Sequence, residues 1–271
     1  TCGDYPQQLM KLTAPVRPYL DETRQEPGRL RIAFSFDPGL GKTLHPENRR
    51  ALEVTTRALA VLGHELVEVK LPLPPESFVA SYASLIAADV AGTLRLAPVL
   101  VGREARSDDV ELATWVLAKM GEAQSGGEVA TALWTMQTFS RQWLAWSAGF
   151  DVLLTPTVGV PPLPIGAHKL TTMQRQGMKL LTSLPAAALL SQRDKIIEAF
   201  DPVFESSPYT MIANVTGQPS MSLPLHWTDD GLPMGMLFTA RIGDEATLFR
   251  LAAQVEQAMP WAERIAPHAV P

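Results

Sequence analysis

With 271 residues, 46% of them hydrophobic, the chain is long enough to bury a substantial core, which excludes general disorder. Its 23 basic and 28 acidic side chains leave a net charge of -5, which argues against a broad nucleic-acid or anionic-membrane surface. A single cysteine, Cys2, excludes an internal disulfide framework, no uninterrupted apolar run reaches the ~18 residues of a membrane span, and the start Thr1-Cys2-Gly3-Asp4 lacks a signal region.

Residues 1–28 carry Pro6, Pro15, Pro18 and Pro27 among polar residues without a sustained period, and they read as a connecting arm. From Arg29 to Phe36 the pattern alternates. Leu30, Ile32, Phe34 and Phe36 take one face and Arg29, Arg31 and Ser35 the other, which predicts a strand packed on one side. Pro46 opens a helix with Leu52, Thr55, Leu59 and Leu62 on one face and Gly63 as its stop. A strand from Leu66 to Leu71 follows, so the order predicts a parallel pair with a right-handed crossover.

From Pro75 to Phe150 the pattern is mostly helical. Helices near 108–124 and 128–148 are expected to form a hairpin through Ser125-Gly126-Gly127, with Trp115, Trp134, Trp143 and Trp146 at its packing interface. Val152 to Leu154 is short and continuously apolar, as in a strand buried on both faces. Its C-terminal end delivers Thr155-Pro156-Thr157 to the side on which open α/β sheets hold ligands. Residues 167–205 read as one or two amphipathic helices of unfixed limits.

The stretch from Pro208 to Arg241 carries the most information. Tyr209, Met211, Ile212 and Val215 have helical spacing, and Gly217-Gln218-Pro219 stops that helix. Apolar runs from Met221 to Leu225 and from Met234 to Phe238 flank a polar loop ending in Asp230-Gly231, which predicts an antiparallel hairpin. A last helix is capped by Asp244, buries Leu248, Leu251, Ala252, Val255 and Met259, and ends at Pro260.

Catalytic sets are scarce. There is no Gly-x-Ser-x-Gly elbow and no Ser-x-x-Lys pair. His64-Glu65 is followed by Glu68 and not by a second histidine, so no zinc helix is read, and the five histidines are expected at the surface rather than as ligands. Gly39-Leu40-Gly41-Lys42-Thr43 resembles the end of a phosphate-binding loop, but Phe36 stands where the first glycine belongs and would block the backbone cradle. No metal or other cofactor is expected.

Tyr209-Thr210, Asn214, Thr216-Gly217, Pro219, Ser222, Pro224, Gly231-Leu232-Pro233, Gly235, Gly243-Asp244-Glu245 and Pro260-Trp261 together resemble the C-terminal signature of the amidase signature family of hydrolases. Asp151 to Thr157, with Pro161-Pro162 and Gly166, is similar to the family's preceding core strand and loop, and a weaker match spans Gly28 to Gly63. The general pattern is most similar to the bacterial amidases that include cyclic-dimer hydrolases.

The resemblance implies an α/β fold with a central mixed sheet flanked by helices on both faces. This chain would form its C-terminal part as one domain over 29–271, with a helical substrate-side segment at about 75–150. It implies hydrolysis of the carbon-nitrogen bond of a linear or cyclic amide through an acyl-serine intermediate. The nucleophilic serine, a second serine in a cis peptide and a lysine would come from an N-terminal portion, since none of the three matches here; Ser125-Gly126-Gly127 has the wrong neighbours.

The pocket residues it suggests are Thr155, Thr157, Thr210 and Asn214, although each also has a structural reading as a turn or backbone tie. Expected partners are a small-molecule amide, the enzyme's N-terminal portion and a second copy in a homo-oligomer, with no nucleic acid and no membrane. A soluble, cytoplasmic enzyme is expected, and opening on Thr1 fits an excised or processed product. Two alternatives stand beside this: the transamidating subunit of an aminoacyl-tRNA amidotransferase, and a non-catalytic binding protein derived from the fold. The second is disfavoured because half a sheet exposes an edge and an apolar face.

Overall fold

The computed structural model describes residues 14–39, 43–73, 75–167, 169–185, 194 and 205–265. Cys2, His168, His268, the first part of the arm, the middle of the Gly39 to Thr43 turn and most of 186–204 lie outside them. Two compact units are distinguished, one comprising 1–72, 141–162 and 205–271, the other 73–140 and 163–204.

The first unit is built on a five-stranded mixed sheet of order β2-β1-β3-β5-β4. β1 (Arg31–Phe34) runs parallel to both β2 (Glu65–Glu68) and β3 (Val152–Pro156). β5 (Pro233–Ala240) is antiparallel to β3 and to the edge strand β4 (Ser220–Trp227), with an irregularity between Pro224 and His226. The predicted hairpin is therefore present, and Gly231, at φ 82°, takes the left-handed corner of its loop.

One face of this sheet is apolar. Ile32, Val152, Leu154, Leu223, Leu225, Met236 and Phe238 meet Leu52 and Leu59 of α2 (Pro46–Val61) and Leu248, Leu251 and Val255 of α9 (Glu245–Ala258). Each fully buried side chain of this size contributes about 1.5–3 kcal/mol. Both helices begin as predicted: Pro46 is the first residue of α2, and Asp244 Oδ1 accepts from the Thr247 N–H at 3.4 Å. The short α1 (Tyr19–Glu22) lies within the expected arm and docks on α9, with Tyr19 stacked on Phe249 and Glu22 paired with Arg250 at 2.6 Å.

The opposite face is covered in part by the last turns of α6 (Gly126–Ser147), where Trp143 Nε1 donates to Gln218 Oε1 at 2.9 Å and Gln218 Nε2 donates to the Ala240 carbonyl. The one-sided reading of the first strand is thereby corrected. Ala33 and Ser35 are both 0% exposed, because β1 is an interior strand with both faces covered. All five residues of β3 are buried, as its unbroken apolar run predicts.

The second unit is helical. α3 (Pro75–Arg95) packs on α5 (Leu112–Ala123), and α5 on α7 (Thr172–Leu181), with Ala87, Val116, Met120 and Met178 at the centre. Residues Ser77–Arg95 have the length and mean hydropathy, 1.3, of a membrane-spanning helix, although no uninterrupted apolar run is that long. Their small residues serve close helix packing: a Cβ on Gly121 of α5 would lie 2.0 Å from the Ala87 carbonyl oxygen. α4 (Ala97–Val101) follows α3 and ends at Gly102.

Two expectations here fail. Gly126 and Gly127 belong to α6 and not to a turn, because Ser125 and Glu128 cap that helix reciprocally: the Ser125 N–H donates to Glu128 Oε2 at 2.7 Å and the Glu128 N–H to Ser125 Oγ at 3.2 Å. Nor do the four tryptophans form one interface. Trp134 is 64% exposed, Trp115 lies under the Lys119 ammonium, and Trp143 and Trp146 meet in a tilted pair with ring centroids 4.9 Å apart.

Candidate functional site

The carboxyl end of β3 is the part of the sheet where chemistry can be presented. β1 is joined through α2 to β2 on one side, whereas β3 lies on its other side, so the chain diverges between β1 and β3. In open α/β sheets the crevice beyond the carboxyl ends at such a divergence is where ligands bind. A cavity of about 240 Å³ lies here, walled by Pro38 after β1, Leu44 and His45 before α2, Gly159 and Val160 after β3, and Pro208.

The loop leaving β3 is held from three directions. Asn48, in the first turn of α2 and 0% exposed, donates through Nδ2 to the carbonyls of Val158 at 2.8 Å and Gly159 at 2.7 Å. The Gly159 N–H donates to the Ser206 carbonyl at 2.8 Å, and a Cβ on Gly159 would lie 2.0 Å from the Glu205 carbonyl oxygen, so only glycine fits. On the third side the Thr157 N–H donates to the Gly235 carbonyl at 2.9 Å, and Thr157 Oγ1 lies 2.6 Å from Ser222 Oγ.

Two buried polar atoms near this loop, Asn48 Oδ1 and the Tyr209 hydroxyl, have no hydrogen-bond partner among the described residues. Tyr209 is 2% exposed. Burial, with the Asp37 carboxylate adding to it, holds its phenol well above the ordinary value, so the hydroxyl is neutral and able to donate.

The predicted site residues fall as follows. Thr155 is buried within β3, and Thr157 is half-buried just beyond it. Thr210 opens α8 (Thr210–Thr216) and is half-buried, while Asn214 is exposed on that helix, which ends at Gly217 with φ 74°. The contacts bring Ser222 and Gly235 to Thr157, not Thr210 or Asn214. Asn48 and Ser222 were missed as site residues. The signal for Asn48 lay in its place four residues before Leu52 on the buried stripe of α2.

The histidines divide between surface and interior. His45 caps α2, its Nδ1 accepting from the Glu47 N–H. His226 lies 3.2 Å from Glu47 Oε2. His64 is 6% exposed and not at the surface as expected, since its Nδ1 accepts from the Leu30 N–H and its Nε2 faces Gln254 Oε1 at 2.8 Å. No group of three or more His, Cys, Asp or Glu able to hold a metal ion occurs among the described residues.

A family model described as Amidase matches residues 1–249. The 6-aminohexanoate-cyclic-dimer hydrolase of Paenarthrobacter ureafaciens is 29% identical over 258 residues, which cover 92% of this chain and 48% of that protein. The lipoamidase of Enterococcus faecalis is 28% identical over 226 residues, covering 83% of this chain and 31% of that protein. A solved structure of 6-aminohexanoate cyclic dimer hydrolase complexed with substrate matches with a TM-score of 0.76 at 28% identity, covering 96% of this chain and 51% of that one. The chain thus spans half or less of the length of these curated relatives. With its mixed sheet, its hairpin and a match extending over nearly all of its length, this chain belongs to the amidase signature family of hydrolases.

Proposed function

We propose that this chain is the pocket-forming part of an enzyme that hydrolyses the carbon-nitrogen bond of a small linear or cyclic amide. The observation that carries this is the amidase family match across residues 1–249. The chain contributes the loop after β3 and the residues around it, with Thr155, Thr157, Thr210 and Asn214 as contacts for the acyl or leaving group. A serine outside this chain adds to the amide carbonyl, the amine departs with a proton relayed through a second serine and a lysine, and water then releases the acid. Aminohexanoate amides are the first substrates to try, because two relatives are named for hydrolysing their cyclic dimer.

The test is made on the full-length protein that contains this chain. It is incubated with 6-aminohexanoate cyclic dimer, the linear dimer and a lipoyl-lysine amide, and primary amine release is followed by mass spectrometry. Turnover of at least one, with an acyl adduct on the protein when the reaction is quenched early, is the expected result. No amine release from any of the three sinks the hydrolase reading.

A further inference from the structure

Thr157 and Ser222 meet in an unusual place. Their hydroxyls are 2.6 Å apart, and a Cβ built on Gly235 would lie 2.5 Å from Ser222 Oγ and 2.7 Å from Thr157 Oγ1, so the pair rests directly on bare backbone. The register explains this. Ser222 and Thr155 both pair with Leu237, which puts Thr157, Gly235 and Pro224 in the next row on the face turned away from the apolar core. One row in the other direction, Ser220 Oγ and Thr239 Oγ1 form a second pair at 2.8 Å.

We infer that the Thr157–Ser222 hydroxyl pair is a substrate-binding shelf that selects a neutral carboxamide, an inference that rests on the amide-hydrolase reading. Within the pair one proton lies between the two oxygens, which leaves the accepting hydroxyl a proton to give and the donating one a lone pair to offer. One donor beside one acceptor is the complement of an amide, which presents a carbonyl oxygen and an N–H together. No charged side chain hydrogen-bonds to either hydroxyl among the described residues, so nothing at the shelf rewards a carboxylate over the neutral amide. Ser222 is exposed and Thr157 half-buried, so both hydroxyls of this pair are reachable, whereas in the Ser220–Thr239 pair Ser220 is exposed but Thr239 is only 7% exposed. It also stands at the carboxyl end of β3, where the bare backbone of Gly235 gives the two hydroxyls room to meet.

A strand clip without a ligand role would share much of this geometry, and the Ser220–Thr239 pair supplies the control. Full-length protein is titrated calorimetrically with hexanamide and with hexanoate, and kcat/KM is measured on its amide substrate. Hexanamide is expected to bind better than hexanoate. Thr157→Val and Ser222→Ala are each expected to weaken hexanamide binding and to lower kcat/KM by about tenfold, with Thr157→Ser restoring both. Ser220→Ala is expected to lower the thermal midpoint as Ser222→Ala does while leaving hexanamide binding unchanged.

The shelf is overturned if Thr157→Val and Ser222→Ala bind hexanamide like the parent, if Ser220→Ala loses as much as they do, or if hexanoate is preferred. A parent that binds hexanamide through these hydroxyls but cleaves no amide refutes the hydrolase and leaves the shelf standing. A parent that cleaves amides while both variants stay unchanged refutes the shelf alone.

Discussion

Replacing Asn48 by leucine tests how the loop after β3 is held. Leucine keeps roughly the shape of asparagine but removes both donors, so the carbonyls of Val158 and Gly159 lose their partners in a residue environment that is 0% exposed. An acceptor left without a donor costs about 1–3 kcal/mol when buried, and two are created here, on the half-buried residues Val158 and Gly159. Removing Oδ1, itself unpartnered, returns roughly one such penalty. The balance is a loss of about 2 kcal/mol. The loop cannot turn its carbonyls to water easily, because Gly159 is also fixed by the Ser206 carbonyl and crowded by that of Glu205. Urea unfolding of the full-length protein should show a lower midpoint at unchanged slope, and hydrogen exchange at the Gly159 amide should accelerate more than in the core of β3. A variant within about 0.5 kcal/mol of the parent, with Gly159 still protected, would refute the reasoning.

Two further outcomes follow from packing and protonation. In Gly121→Ala the new Cβ meets a backbone oxygen, which no rotamer change relieves, so α3 and α5 must separate. Overpacking costs of about 1–3 kcal/mol exceed the ~1 kcal/mol gained in helix propensity, and a thermal midpoint equal to or above the parent's would refute the close crossing. His64 is held neutral, its Nδ1 accepting from Leu30, and burial lowers its pKa below the ordinary 6.5 despite the raising effect of Gln254. Because the folded value is the lower one, its contribution is complete above the unfolded value and is lost as pH falls through the folded one. Between about pH 7.5 and pH 5.5 the parent should therefore lose more stability than His64→Gln, and parallel losses in the two proteins would count against this account.

What was legible in the sequence was what is decided locally. The β3 run needs only its own apolar residues, Gly217 and Gly231 need only their left-handed φ, and Asp244 reaches its partner three residues away. Burial of Ala33 and Ser35 was not legible, because their cover comes from elements far along the chain. The same holds for Trp143, whose partner Gln218 lies 75 residues on. The reciprocal cap of Ser125 and Glu128 was visible and was outweighed by the two glycines between them. Thr155 and Thr157 could be placed at the strand end from sequence, but the Ser222 hydroxyl reaches Thr157 only through a register set by β5 between them.

That register explains why the strongest motif residues cluster as they do. Period two along β4 and β5 sends Leu223, Leu225, Met236 and Phe238 into the apolar core and Ser220, Ser222, Gly235 and Thr239 to the other face. A shift by one residue would bury the serines against α2 and α9 and expose the core set, so the apolar face fixes the alignment of the polar one. Gly235 is then required by what crosses it, since any side chain there would displace both hydroxyls. The hairpin thus acts as a unit: Leu223, Leu225, Met236 and Phe238 set the register, and of the residues that resemble the family signature Gly235 clears the floor and Ser222 is placed over it beside Thr157.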